Sequence, residues 1–180
     1  MLKPTPRSLV RNWWPVVLWL GVIRLESTDL ASASNTGGLL YKVISFVWPR
    51  VDPALVDTLD MMLRKTGHFI GYGVLSALVF FALQRTNRDR MRDVLRRPWG
   101  TYRRDLWRLE WCSIGILVTI VTAAADEIHQ TFIPSRTGRW QDVVIDTGGA
   151  AVIQLVIYMV ASQRVKPGVS KPQVELSSTR

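Results

Sequence analysis

A single cysteine, Cys112, is the only thiol in this chain, which excludes an internal disulfide and a cysteine-ligated metal site. It falls inside an apolar run and reads as a small packed residue. Acids are scarce beside bases, 14 against 23, leaving a formal net charge of +9. In a soluble chain that balance points to nucleic acid. Here the bases sit in blocks between apolar segments, a pattern of membrane topology, so nucleic acid is not an expected partner. No internal repeat is visible. Formal charge is also missing from Thr66 through Leu83. What is present is 48% hydrophobic and 21% charged residues, with a mean hydropathy of +0.12. At 180 residues this suits one small polytopic membrane domain whose charges are kept to loops and ends.

The expected fold is all-α, a polytopic membrane helical bundle of about four transmembrane helices. The segments are Trp13 to Leu25, with Pro15 in a first turn where a missing N–H is tolerated; Thr66 to Leu83; Trp111 to Ala125, able to run on to Ile133 before Pro134; and Val143 to Ala161. A span needs about 20 mainly apolar residues, so the first and third borrow polar ends that can snorkel. Basic residues set the orientation. Lys3, Arg7 and Arg11 precede the first segment, nine arginines from Arg85 to Arg108 separate the second from the third, and Arg164, Lys166, Lys171 and Arg180 follow the fourth. The positive-inside rule therefore predicts N-in/C-in. Ala31-Ser32-Ala33 offers a cleavage pattern, but Arg24, Glu26 and Asp29 before it favour a retained anchor. Leu39 to Trp48 suits either an interfacial amphipathic helix or a cap on the bundle. Residues 1–165 form the membrane domain and 166–180 a flexible cytoplasmic tail.

This orientation brings three polar groups to the outer face. Lys65, His68 and Tyr72 are spaced i, i+3, i+7 and share one helical stripe. Asp126, Glu127 and Gln130 stand near the end of the third segment, and Asp142 and Asp146 open the fourth, with Arg136 and Arg139 between them. Gly67 with Gly71, and Gly148 with Gly149, are small residues that would let helices approach closely. Ionisable groups at membrane depth are costly, so such a cluster is a functional-site hypothesis. His68 alone would be an ordinary interfacial histidine, and Asp142 and Asp146 alone could simply pair with Arg136 or Arg139. Two adjacent acids, Asp126 and Glu127, are harder to explain without a role. His129 points off the Asp126 stripe and is left out of the set.

The strings KTGHFIGYGVL at Lys65–Leu75 and DEIHQTFIPSRTGRWQDVVIDTGG at Asp126–Gly149 resemble the VanZ-like family of bacterial integral membrane proteins. That family couples K-x-x-H-x-x-x-Y with D-E-x-x-Q-x-x-x-P-x-R and a following D-x-x-x-N. The matching positions are Lys65, His68, Tyr72, Asp126, Glu127, Gln130, Pro134, Arg136 and Asp142, and Asp146 stands where the pattern often has Asn. The resemblance implies a multi-pass cell-envelope protein of the bacterial cytoplasmic (inner) membrane, and by family alone a link to resistance against the glycopeptide teicoplanin.

Three kinds of function fit these residues. The first acts on, or binds, a phosphate-bearing membrane lipid or lipid-linked glycan. In it His68, Glu127, Asp126 and Asp142 carry acid/base chemistry, while Lys65, Tyr72, Gln130, Arg136 and Asp146 hold the ligand, Arg136 bidentately. A divalent cation on the carboxylates is a further option, with no metal or cofactor assigned. Ser135-Arg136 and Asp146 copy part of a lipid-phosphatase spacing, but Asp142 replaces the nucleophilic histidine, which argues against that mechanism. The second is a non-enzymatic bundle that binds or shields envelope precursors or a partner complex. In the third the polar residues only glue helices together.

Overall fold

The computed structural model describes residues 6–28, 33–95, 108–134 and 138–163. These form five helices: α1 (Pro6–Glu26), α2 (Ala33–Val47), α3 (Pro53–Leu95), α4 (Leu109–Gln130) and α5 (Trp140–Gln163). Among the described residues there is no strand. The tail 166–180, most of the arginine-rich loop, Ala31-Ser32, and Ser135 with Arg136 lie outside the described residues.

α3 is the axis of the bundle. Asp52 starts it, its carboxylate accepting the Ala54 amide at 2.9 Å, with Pro53 at the first helical position where its missing N–H costs nothing. No further proline interrupts the 43-residue helix, so it takes in Pro53–Lys65 ahead of the apolar segment that starts at Thr66. At the helical rise it is about 65 Å long. That is roughly twice the ~30 Å hydrocarbon core of a bilayer. α3, α4 and α5 are each long and apolar enough to cross a membrane. α1 does not meet that criterion, although its 21 residues are long enough.

Two details of the helix ends differ from expectation. α1 begins at Pro6, so Pro15 is an interior proline rather than a first-turn one and removes one intrahelical hydrogen bond. α4 stops at Gln130 rather than reaching Ile133. The amides of Thr131, Phe132 and Ile133 tighten onto carbonyls three residues back, the usual way a helix end satisfies its last acceptors before a proline.

Packing is closest where α3 meets α5. A Cβ on Gly149 would collide with the Phe69 carbonyl, and one on Gly73 would lie 3.1 Å from the Gly149 carbonyl. Gly148 is looser, 3.6 Å from the Phe69 ring. The expectation for Gly67 and Gly71 is corrected: neither has another helix within 4 Å of its Cβ direction. Their side of α3 turns away from α5, and Gly73, two residues on, makes the approach. α1 lies antiparallel along α3. Arg11 and Asn12 bond Asp89 at 2.8 and 2.9 Å, Trp13 reaches Thr86, and Trp19 donates to the Gly71 carbonyl at 2.8 Å. Val16 and Ile23 of α1 join Tyr72, Leu75, Val79, Ala82 and Ala123 in one buried core. α2 folds back on the start of α3, with Gly37 against the buried Asp60, while Leu39, Val43, Phe46 and Trp48 stay exposed.

Candidate functional site

The site is a polar seam along the α3–α5 contact. On α3, Lys65, His68, Tyr72 and Ser76 follow one another at helical spacing, and on α5, Asp142, Asp146, Ala150 and Gln154 do the same. The two helices run parallel, so the stripes meet in order. Lys65 Nζ lies 3.4 Å from Asp142 Oδ1, and His68 Nδ1 lies 3.6 Å from Asp146 Oδ2. Deeper, Gln154 Nε2 donates to the Ser76 hydroxyl at 2.8 Å and to its carbonyl at 3.1 Å. Gly115 of α4 closes this inner end, since a Cβ there would meet the Ser76 carbonyl at 3.0 Å. From Lys65 to Ser76 the seam descends about 16 Å by the helical rise, or about half a hydrocarbon core.

α4 supplies the third wall. The buried Asp126 accepts from Gln130 Nε2 at 3.0 Å through one oxygen and from the Ser27 hydroxyl through the other. Ser27 is itself buried just past the end of α1, so this contact ties the fourth long helix to the site. Glu127 turns to the loop, where its Oε2 accepts the Arg139 amide at 2.6 Å, just before α5 begins. That carboxylate meets the free donors and positive dipole of a helix start. Gly138 makes the fold-back possible, because a Cβ there would strike the Glu127 carbonyl.

Exposure falls steeply along the seam. Lys65 and Asp142 keep side-chain exposures of 43% and 27%, His68 keeps 24%, and Asp146 only 1%. Tyr72 is 2% exposed, its ring 5.9 Å from His68, with its hydroxyl in the field of Asp126, Asp146 and Glu127. Among the described residues, the Tyr72 hydroxyl, His68 Nδ1 and both oxygens of Asp146 have no partner at full hydrogen-bond geometry, although His68 faces Asp146 and Tyr72 faces Asp126. Leaving a buried polar atom unpaired costs about 1–3 kcal/mol, more when it is charged. Several such atoms facing one another are therefore a preference for something more than packing.

Of the residues expected from sequence, Lys65, His68, Tyr72, Asp126, Glu127, Gln130, Asp142 and Asp146 are brought into one cluster, and Arg136 falls outside the described residues. Within it, each acid has a distinct local partner. Among the described residues no three carboxylate or imidazole groups converge closely enough to hold a metal ion. Sequence reasoning missed Ser27 and the Ser76–Gln154 pair. Gln154 could have been found by extending the Asp142, Asp146 spacing two more turns, whereas Ser27 sits in a small polar stretch that carries no signal.

Comparison with known proteins adds one match. The VanZ/LLP1 family model covers residues 13–162. No curated protein and no solved structure matches the chain. The matched region takes in every helix that contributes to the cluster, from Ser27 after α1 to Gln154 on α5, and the chain belongs to the VanZ/LLP1 family.

Proposed function

We propose that this protein is a four-span, N-in/C-in protein of the bacterial cell envelope whose polar seam binds the headgroup of an outer-leaflet lipid or lipid-linked glycan. The observation that carries the reading is the thinly satisfied centre of the seam: Tyr72 and Asp146 are buried, and Asp146 meets His68 at 3.6 Å, beyond hydrogen-bond length. Residues that only glued helices together would complete their hydrogen bonds with one another. The ligand chemistry follows from the acid excess. Of the acids Asp126, Glu127, Asp142 and Asp146, only Asp142 and Asp146 form ion pairs among the described residues, with Lys65 and His68. The inner part of the seam therefore favours groups that donate hydrogen bonds, such as sugar hydroxyls or an ammonium. Lys65, half exposed at the mouth, suits a phosphate. A catalytic reading has one point in its favour, a carboxylate and an imidazole that face each other at 3.6 Å in the Asp146–His68 pair.

Support for the fourth span comes from α1. It follows α3 from Asp89 to Gly71 and ends at Asp126, while Val10, Trp14, Val17 and Leu18 face outward as a lipid-facing surface would. A reporter fused after Arg97 should read as cytoplasmic, and an extracytoplasmic signal would invert the proposed outer face. The site reading is tested by single alanine substitutions of His68, Asp142 and Arg136. For Asp142→Ala, membrane accumulation should stay within about two-fold of the parent, because the part-exposed Lys65–Asp142 pair contributes little to stability. Envelope phenotype, including teicoplanin susceptibility, should change. Parent-like phenotype in all three, with normal accumulation, sinks the proposal.

A further inference from the structure

At the other end of the α3–α5 contact lies a groove that the polar seam does not use. It has a volume of about 390 Å³ and is walled by Phe81 of α3 and by Val156, Ile157, Val160 and Ala161 of α5, with Gln84 and Arg88 at its polar end. Phe81, Val156 and Val160 are all exposed, so the groove opens sideways where a bilayer would lie. Arg88 is half-buried at its rim and makes no ion pair among the described residues. The acid next to it in sequence, Asp89, is already engaged by Arg11 and Asn12 on the α1 side. From His68 to Arg88 the helix rises about 30 Å, close to the thickness of a hydrocarbon core. A bilayer with one interface at the polar seam thus has its other interface at Arg88.

We infer that this groove is a binding site for an anionic phospholipid, whose acyl chain lies on the Phe81, Val156 and Val160 wall and whose headgroup phosphate is held by the Arg88 guanidinium. An apolar wall leading to a guanidinium with no ion pair among the described residues, at interface depth, is complementary to a lipid with its phosphate at that depth. Charge complementarity extends past the groove, because Arg88 belongs to the run of nine arginines between Arg85 and Arg108. That run favours a headgroup of net negative charge over a zwitterionic one. The inference is independent of the ligand proposed for the seam and shares no residue with it.

The test is native mass spectrometry of the purified full chain with phosphatidylglycerol and phosphatidylcholine of matched acyl chains. Phosphatidylglycerol should be retained about five-fold better, the preference expected from one arginine near an anionic headgroup. Arg88→Gln should remove that preference, while Arg85→Gln, on an exposed neighbour, should leave most of it. Val160→Trp, which fills the groove without changing charge, should lower retention of both lipids. Thermal unfolding of each variant separates lost binding from lost fold. Equal retention of the two lipids by the parent overturns the inference. So does an equal effect of Arg85→Gln and Arg88→Gln, which would make the contact diffuse electrostatics, or full retention by a folded Val160→Trp variant.

Discussion

Gly149→Ala is expected to abolish stable accumulation of the protein in the membrane. The new Cβ would run into the Phe69 carbonyl, and a backbone atom inside a helix cannot move aside as a side-chain tip can. α3 and α5 would have to separate along their whole contact, drawing Lys65 from Asp142 and His68 from Asp146. Overpacking typically costs about 1–3 kcal/mol, and a backbone collision belongs at or above the top of that range. Two neighbours serve as controls. Gly148→Ala meets only the edge of the Phe69 ring at 3.6 Å, and Gly67→Ala meets nothing within 4 Å. Both should be neutral or slightly stabilising, because alanine is the better helix former by up to about 1 kcal/mol. Membrane accumulation and thermal unfolding of the three variants measure this directly. A Gly149→Ala protein as stable as the Gly148→Ala protein would mean that the α3–α5 crossing is not the one described.

Asp126→Ala is expected to have the second-largest effect, and Asp126→Asn a far smaller one on folding. The alanine strands two buried donors, the Ser27 hydroxyl and the Gln130 amide, at about 1–3 kcal/mol each. It also detaches the end of α1 from α4. Asparagine keeps an acceptor for Ser27, and its amide can pair with a turned Gln130, so the contacts survive without the charge. Ser27→Ala should fall between the two, since it breaks the same tie while leaving Asp126 bonded to Gln130. Unfolding temperatures in that order would establish Asp126 as the junction of α1 with the site. If Asp126→Asn unfolds as readily as Asp126→Ala, then the charge and not the hydrogen bonds holds that junction. If Asp126→Asn folds normally but loses the envelope phenotype, the carboxylate serves the ligand as well.

Most of the cluster was legible in the sequence because helical spacing is a local property. Lys65, His68 and Tyr72 share a face of any helix they occupy, as do Asp142 and Asp146, and apolar flanks make such faces worth noticing. The all-α class follows from the length of the apolar runs, and the run Val143 to Ala161 lies inside α5, which extends past it to Trp140 and Gln163. Which glycines bring helices together was not legible. Gly67 and Gly71 are a glycine pair four residues apart and Gly73 has no glycine at that spacing, yet Gly73 makes the contact, because rotation about the α3 axis is set by its partners.

The pairing of Lys65 with Asp142 and of His68 with Asp146, the tie from Ser27 to Asp126, and the turn of Glu127 toward Arg139 are likewise tertiary facts. So is the groove beside Arg88, whose walls come from two helices well separated in the chain. The sequence by itself determined that there are membrane-length helices and which polar residues line their faces, since both depend on neighbours within a few turns. Only the tertiary structure decided which face meets which, and therefore which buried polar atoms find partners and which are left without one. That depends on how separate helices register against each other, information that no local spacing contains.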